Sequence, residues 1–449
     1  MNPSQAQQYI NSFINYEHKP SLIPRTAFKL DRMRRLLADL GNPQKGLKII
    51  HVAGTKGKGS VCAMTASILK HAGYQVGLYT SPHINTYRER IRILSKTASG
   101  QGTEMFQDML SEQEICALLE ETGPAIERVR GDPKFERISF FEMYTALAFY
   151  YYCKKGTDFV VLETGMGGRL DATNVSESLI AVIMPVSLEH THILGNTVGE
   201  IAKEKAGIIK SRSQKVILAP QTEEAEAVLT ERCRQYGIKP LRVNDEHKLE
   251  NVRIDAHRQH FDLVTMRGGY RQLSLRLMGV HQRQNASVAV ATIEYLRDMG
   301  YIVSPAAIHE GLHNAFWPCR FEVMGAEPLT ILDGAHNGDS ARVLAQAVRE
   351  VYKGRKVILV FGVSEDKNET LILQELEGLA AQVIFVRADH PRAKPLPNAV
   401  SISRALETAR QRAGRDGIIL VTGSIFVASE ARRELSALMS GSYSVIHPA

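Results

Sequence analysis

Long apolar runs are missing from this chain. The longest, such as Val357–Val360 and Ile418–Val421, are strand-sized and fall far short of the roughly 20 residues that cross a bilayer as a helix, so no membrane partner is expected. Met1–Pro20 is polar and aromatic with one late lysine. It lacks the basic start and apolar core of a secretory signal, and a cytoplasmic location is the expectation. Cysteine is scarce: Cys62, Cys116, Cys153, Cys233 and Cys319 are scattered, with no Cys-x-x-Cys pair and no tight His/Cys cluster. That argues against a zinc motif or a disulfide framework and fits a reducing cytosol. Repeats and low-complexity tracts are also absent, and 44% hydrophobic with 23% charged residues is ordinary for a folded globular chain. The net charge of +7 is spread among acids, with no aromatic-interleaved basic stripe, so nucleic acid is not an expected partner. The excess suits attraction of small polyanions, or simply a solvated basic surface.

What the chain does have is length and a regular alternation of apolar runs with helical patterns. At 449 residues it exceeds what one core supports, and two domains are expected. Leu47–Ala53, Gln75–Thr80, Asp158–Leu162, Leu179–Val186 and Lys215–Leu218 read as buried parallel strands. Ser60–Ala72 and the almost wholly apolar Phe141–Tyr152 read as helices. Ser95–Glu114 is polar and reads as an exposed excursion, and Lys248–Leu277, with a turn at Gly268-Gly269, reads as antiparallel strands. After the helix Asn285–Asp298, the stretch Ala315–Cys319 looks like a hinge. A second series follows, with strands Leu329–Leu332, Val357–Phe361, Val383–Val386 and Ile418–Thr422 and the helix Ser340–Tyr352. The fold class is α/β: a mostly parallel, P-loop-type N-terminal domain over residues 1–315 and a smaller Rossmann-like C-terminal domain over residues 320–449.

Chemistry-bearing residues follow these strands, where open parallel sheets bind ligands. Gly54-Thr55-Lys56-Gly57-Lys58-Gly59-Ser60 joins a strand to a helix, so backbone N–H groups and the helix start can cradle phosphates. Lys58 would reach the β/γ-phosphates and Ser60 a metal or phosphate oxygen, although the spacing departs from the generic P-loop pattern. Glu163 opens a glycine-rich block through Asn174, and a carboxylate there suits magnesium, which shares substrate phosphates and keeps waters. His190 follows the next strand; imidazole is not magnesium's preferred donor, so a structural role stands beside a ligand role. Lys205 lies in the helical stretch Ile201–Ile208. Such a lysine ordinarily faces solvent, but one held in an enclosed site can lose its proton and react with carbon dioxide.

Together these residues resemble the folate branch of the Mur ligase superfamily, from about Tyr16 to Arg433. The family's GT-x-GKG-[ST] loop stands at Gly54–Ser60, its SPH segment at Ser81–His83 and its E-x-G-x-GGR-x-DATN block at Glu163–Asn174. Further matches are Leu188–Gly195, Glu204–Gly207, Gly279–Asn285, Asp333–Asn337, His390–Ala393 and Thr422–Ser424. The resemblance implies magnesium, at two sites, held by Ser81, Glu163 and His190. It also implies a carbamylated Lys205, ATP contacts from Gly54, Thr55, Gly57, Lys58, Gly59, Ser60, Asn285, Arg320 and Asp333, and His336 near the phosphates and incoming substrate. Asp333 as a helix cap and Arg320 as a hinge salt bridge are the structural alternatives. Lys56, Glu189 and Cys319 depart from the family's usual Asn, Asp and Gly, and Asn368 from an Asp.

The implied activity is ATP-dependent ligation of L-glutamate to dihydropteroate or a reduced folate, through an acyl phosphate, by a monomer. Lys58, Lys205 and His336 are the expected catalytic residues. The rivals are another Mur-type amino-acid ligase, a polyglutamylating enzyme without dihydrofolate synthase activity, and a nucleotide switch that hydrolyses ATP without ligating anything.

Overall fold

In the computed structural model, which describes residues 1–17, 29–95, 106, 108–135, 137–325 and 327–440, every residue of β1 (Ile49–Ala53) is buried. The reason is its central place in a seven-stranded sheet. The other members are β2 (Val76–Tyr79), β3 (Ile91–Leu94), β4 (Phe159–Glu163), β5 (Ser178–Ile183), β6 (Lys215–Leu218) and β7 (Leu241–Arg242), in the order β3-β2-β4-β1-β5-β6-β7. β1 pairs in parallel with β4 and β5, and β2 with β4. Only β3 runs antiparallel, against β2. All five strands expected from the sequence are present.

β3 was not foreseen because its Ile-Arg-Ile-Leu sequence sits in a run of arginines, which reads as exposed. The structure neutralises those charges internally. Arg90 is buried against Glu17, and Arg92 holds Asp108 at 2.8 Å. The expected polar excursion lies mostly outside the described residues; its end begins the helix Glu112–Arg130, capped by Ser111.

The parallel direction places Gly54, Thr80-Ser81, Glu163 and the Met184–His190 loop at one edge of the sheet. The helix Lys58–His71 leaves that edge with Ser60–Leu69 buried all round. It is closely crossed by the helix Pro305–His313: a Cβ on Gly311 would lie 2.4 Å from Ile68 Cα, and Ser67 Oγ donates to the Gly311 carbonyl at 2.7 Å. Behind the sheet, Phe140–Lys155 is buried on nearly every face, as its apolar sequence requires.

β8 (His247–Ile254), β9 (Gln259–Thr265) and β10 (Gly268–Leu275) form a three-stranded sheet in the order β10-β9-β8. The turn expected at Gly268-Gly269 falls instead at Met266-Arg267, and the glycines open β10. Two residues suffice for a hairpin, and the glycines therefore belong to the strand rather than the reversal.

Contacts divide the chain into two units. The first is Met1–Asn251, Phe261–Ser274 and Gln282–Ala315, and the second is Val252–His260, Leu275–His281 and Phe316–Ala449. The second holds a five-stranded sheet of β11 (Glu322–Met324), β12 (Leu329–Leu332), β13 (Val357–Phe361), β14 (Gln382–Phe385) and β15 (Ile418–Thr422), ordered β11-β12-β15-β13-β14. All neighbours are parallel except β11 with β12. Its core packs Leu344, Val348, Leu359, Phe361 and Leu420. Among the described residues no helix is long and apolar enough to cross a membrane.

The closeness of the two helices at Gly311 gives a direct test of the packing behind the glycine loop. Gly311→Ala is expected to force them apart and lower stability by about 1–3 kcal/mol, the usual cost of overpacking. A shift of the urea midpoint to lower concentration would show it, and an unchanged midpoint would mean that the crossing accommodates a methyl group.

Candidate active site

The loop after β1 has no room for side chains at its two turning points. Gly54 has φ 152°, and a Cβ there would sit 2.4 Å from Met184 Cβ; Gly57 has φ 84°, and a Cβ there would meet Asn285 Oδ1 at 2.7 Å. Glycine is therefore required at both. Gly57 precedes the helix Lys58–His71, so Lys58 is its first residue, Gly59 its second and Ser60 its third. The helix begins two residues earlier than the sequence pattern indicated. This brings the free N–H groups of the first turn closer to the loop, the arrangement that binds phosphate. Thr55 anchors the loop sideways: its N–H donates to the Pro185 carbonyl at 2.9 Å and its hydroxyl to the Ser187 carbonyl at 3.1 Å. Asn285, far away in sequence, is thus in place beside Gly57.

Two ammonium groups converge on one oxygen. Lys205 Nζ donates to the Gly54 carbonyl at 2.8 Å and Lys58 Nζ to the same carbonyl at 3.1 Å. Lys58 also lies 4.0 Å from Glu163 Oε1, and Glu163 Oε2 accepts the Ser81 N–H at 3.2 Å. Lys205 is only 2% exposed. Burial first, and then the neighbouring Lys58 charge, bring its pKa down to about 7, with Glu189 and Asp171 opposing. Lys205 thus gives up its proton more readily than an exposed lysine does. His190 has left-handed backbone (φ 49°) at the start of the short helix Thr191–Leu194, with Nε2 3.9 Å from Glu189 Oε1.

The glycine-rich block packs onto the end of the helix Val198–Ala206, which carries Lys205. A Cβ on Gly168 would lie 2.9 Å from the Glu204 carbonyl and 3.0 Å from that of Lys205, and Arg169 N–H donates to the Glu204 carbonyl at 2.7 Å. Sequence reading passed over the group that holds this block. Buried Asp171 accepts the Met166 N–H at 2.9 Å and the Thr173 N–H at 3.0 Å, while Thr173 Oγ1 meets His51 Nε2 at 2.8 Å. Burial holds His51 well below the usual imidazole range, with Lys210 acting in the same direction. The acidic residue of the DATN segment was a visible signal; a histidine inside an apolar strand gave none.

In the second unit, Asp333 follows β12 but caps no helix. Its carboxylate accepts the Phe321 N–H and the Ala335 N–H, both at 2.8 Å, whereas Asn337 caps the helix Gly338–Val351. Burial raises the Asp333 pKa against the opposing charge of Arg320. His336 Nδ1 lies 2.9 Å from the Gly334 carbonyl, and Arg320 donates to the Cys319 carbonyl at 3.0 Å. Cys319 has φ 54°, a conformation that glycine adopts without cost.

Among the described residues no group of three or more His, Cys, Asp or Glu side chains is arranged to enclose a metal. Magnesium does not need one. With a nucleotide's oxygens and water completing its shell, one or two protein oxygens suffice, and the buried Glu163 carboxylate beside Ser81 fits that requirement.

Residues 103–293 match the Mur ligase middle domain and residues 319–425 the Mur ligase glutamate ligase domain. The chain is 33% identical over 444 residues to the dihydrofolate synthase/folylpolyglutamate synthase of Bacillus subtilis (strain 168), covering 96% of this chain and 98% of that protein. Among solved structures it is similar to Mycobacterium tuberculosis folylpolyglutamate synthase complexed with ADP, with TM-score 0.86, 27% identity and coverage of 96% and 98%. An FPGS–AMPPCP–folate complex aligns with TM-score 0.83, 29% identity and coverage of 97% and 100%.

The depressed pKa of Lys205 sets the sign of a pH effect. The unfolded lysine titrates near 10.5 and the folded one near 7, so the unfolded state binds more protons between those values and stability falls as pH drops through that window. Lys205→Met is therefore expected to stabilise the protein more at pH 7 than at pH 10, measured as urea midpoints at both pH values. A gain independent of pH would show that Lys205 keeps its ordinary pKa.

Proposed function

The chain belongs to the dihydrofolate synthase/folylpolyglutamate synthase family of Mur ligases, and from that premise we propose that it uses ATP to join L-glutamate to dihydropteroate and to reduced folates, as a cytoplasmic monomer. In this reading the acceptor carboxylate attacks the γ-phosphorus, the bond to ADP breaks, and an acyl phosphate forms. The glutamate amine then attacks the acyl carbon, phosphate leaves with the bonding electrons, and the amide remains once the amine proton is lost. Neither step requires a covalent bond to the protein.

The observation that best supports the reading is the meeting of Lys58, Lys205 and Glu163 around Gly54 at the start of a phosphate-cradling helix. Lys58 would turn from the Gly54 carbonyl to the β/γ-phosphates, and the first-turn N–H groups of Gly59 and Ser60 would hold the remaining oxygens. Asn285, whose Oδ1 lies beside Gly57, is proposed to contact ATP. Ser81, Glu163 and His190 are the residues proposed to hold magnesium, which would supply positive charge to offset the transferring phosphoryl group. Lys205, poised near neutrality, is proposed to add carbon dioxide at Nζ with loss of a proton, giving an anionic carbamate suited to a divalent cation. Arg320 and Asp333 are assigned to ATP and His336 to the phosphates and incoming substrate; the similarity to the family supports those three roles.

Lys58→Ala is expected to lower the rate by about 10²- to 10³-fold, the typical loss for a charge-stabilising contact. Wild-type turnover with Lys56 intact would assign the phosphate contact to the wrong lysine. Phosphate release measured with dihydropteroate plus glutamate, and separately with tetrahydrofolate plus glutamate, is expected in both mixtures. Release with tetrahydrofolate alone would restrict the enzyme to polyglutamylation. ATP turnover without either acceptor would favour a nucleotide switch.

A further inference from the structure

Lys58 has a companion in the loop after β1. Lys56 stands two residues before it, half-buried, between two residues whose backbone is fixed. On one side, Thr55 donates its N–H to the Pro185 carbonyl at 2.9 Å and exchanges two hydrogen bonds with Ser187, hydroxyl to carbonyl and N–H to hydroxyl, each at 3.1 Å. On the other, Gly57 has left-handed backbone with φ 84°, and a Cβ there would meet Asn285 Oδ1 at 2.7 Å and Met184 Cε at 2.9 Å. The Lys56 side chain therefore starts from a defined place, just before the helix Lys58–His71.

For stability, that is the wrong end of a helix for a cation. The N–H groups of a helix start carry roughly half a positive charge, which acids stabilise and lysines oppose. This helix has no acidic residue in its first turn and no side-chain cap, and the loop Gly54–Ser60 contains no acid. Lys58 has Glu163 at 4.0 Å as counter-charge, and Lys205 closes on the same Gly54 carbonyl from the other side. Adding Lys56 concentrates positive charge at a point where the folded chain gains nothing from it, and such a cost is offset when a polyanion binds. Asparagine, the family's usual residue at this position, keeps the loop polar without the charge. What Lys56 adds is the charge and its reach.

We propose that Lys56 is a further nucleotide-binding residue, whose ammonium pairs with phosphate oxygens of the triphosphate and shares with magnesium the neutralisation of its charge. The inference deepens the proposed function and rests on the reading that the loop Gly54–Ser60 cradles the phosphates of ATP. It assigns this chain a firmer hold on metal-free triphosphate than the same chain would have with asparagine at position 56.

The test is calorimetric titration of the ATP analogue AMPPCP into the full chain, in EDTA and again with saturating Mg²⁺, for the wild type, Lys56→Asn and Lys56→Arg, with folding checked by thermal melting. Lys56→Asn is expected to weaken metal-free AMPPCP binding about tenfold, the contribution of one charge-assisted hydrogen bond. The loss should be smaller with Mg²⁺ and should shrink as salt is raised, and Lys56→Arg, which keeps the charge, should recover most of it. Wild-type metal-free affinity in folded Lys56→Asn would overturn the proposal. So would an equal loss in Lys56→Arg, or a loss that neither salt nor Mg²⁺ alters, because either result would mean that the shape of the loop had changed rather than its charge. Lys58→Ala separates the premise from the inference. If neither lysine variant weakens AMPPCP binding, the phosphate reading of the loop fails and the role of Lys56 falls with it; if Lys58→Ala weakens binding and Lys56→Asn does not, only the role of Lys56 fails.

Discussion

The carbonyl oxygen of Gly54 is the point on which the site depends. It accepts from two lysines, one from the helix that follows it and one from a helix some 150 residues later. Two ammonium groups at one buried acceptor repel each other, and the conflict is relieved where burial is greater. Lys205 gives up proton affinity, while Lys58 retains Glu163 at 4.0 Å as its counter-charge. The same arrangement thus sets the two lysines apart, one beside a carboxylate and the other with its proton affinity lowered by burial.

Such convergence requires backbones to come closer than side chains allow. Gly54 lies against Met184, Gly57 against Asn285 and Gly168 against the end of the Lys205 helix. Each contact joins the loop of one strand end to another element, and at Gly54 and Gly168 a methyl group would meet Cβ or backbone atoms that cannot turn aside. The glycines therefore set distances between charged groups, beyond allowing turns.

Much of this was legible in the sequence, for a physical reason. Central strands of a parallel sheet are apolar on both faces, so β1, β2, β4, β5 and β6 stood out as continuous runs, and their ends located the chemistry. What stayed hidden were charges that fold inward. β3 was masked by Arg90 and Arg92, whose partners Glu17 and Asp108 are distant enough in sequence that nothing marks them as pairs. His51 looked like an interruption of a strand and proved to be part of the Asp171–Thr173 network. Asp333 was read with helix capping as an alternative, and its two backbone donors fall on either side of it, at Phe321 and Ala335. Lys205 could be named from its motif, but its lowered pKa depends on burial, which exists only once the helix is packed.

Several buried polar groups in the first unit are joined in hydrogen-bonded sets. Arg90 with Glu17, Arg32 with Glu142, and Asp171 with Thr173 and His51 are three such sets, beside the apolar core that includes Met33, Leu37, Phe149 and Tyr152. Apolar packing supplies cohesion but little direction, since side chains of similar volume can exchange places with modest loss. Hydrogen-bonded ions tolerate no such exchange: a partner that is slightly misplaced leaves a buried charge unsatisfied, at several kcal/mol. Asp171 holds backbone in this way, accepting the Met166 and Thr173 N–H groups of the glycine-rich block. In the function proposed, the site aligns a phosphoryl group, a carboxylate and an amine rather than forming bonds with them, and alignment of that kind calls for backbone held in one place.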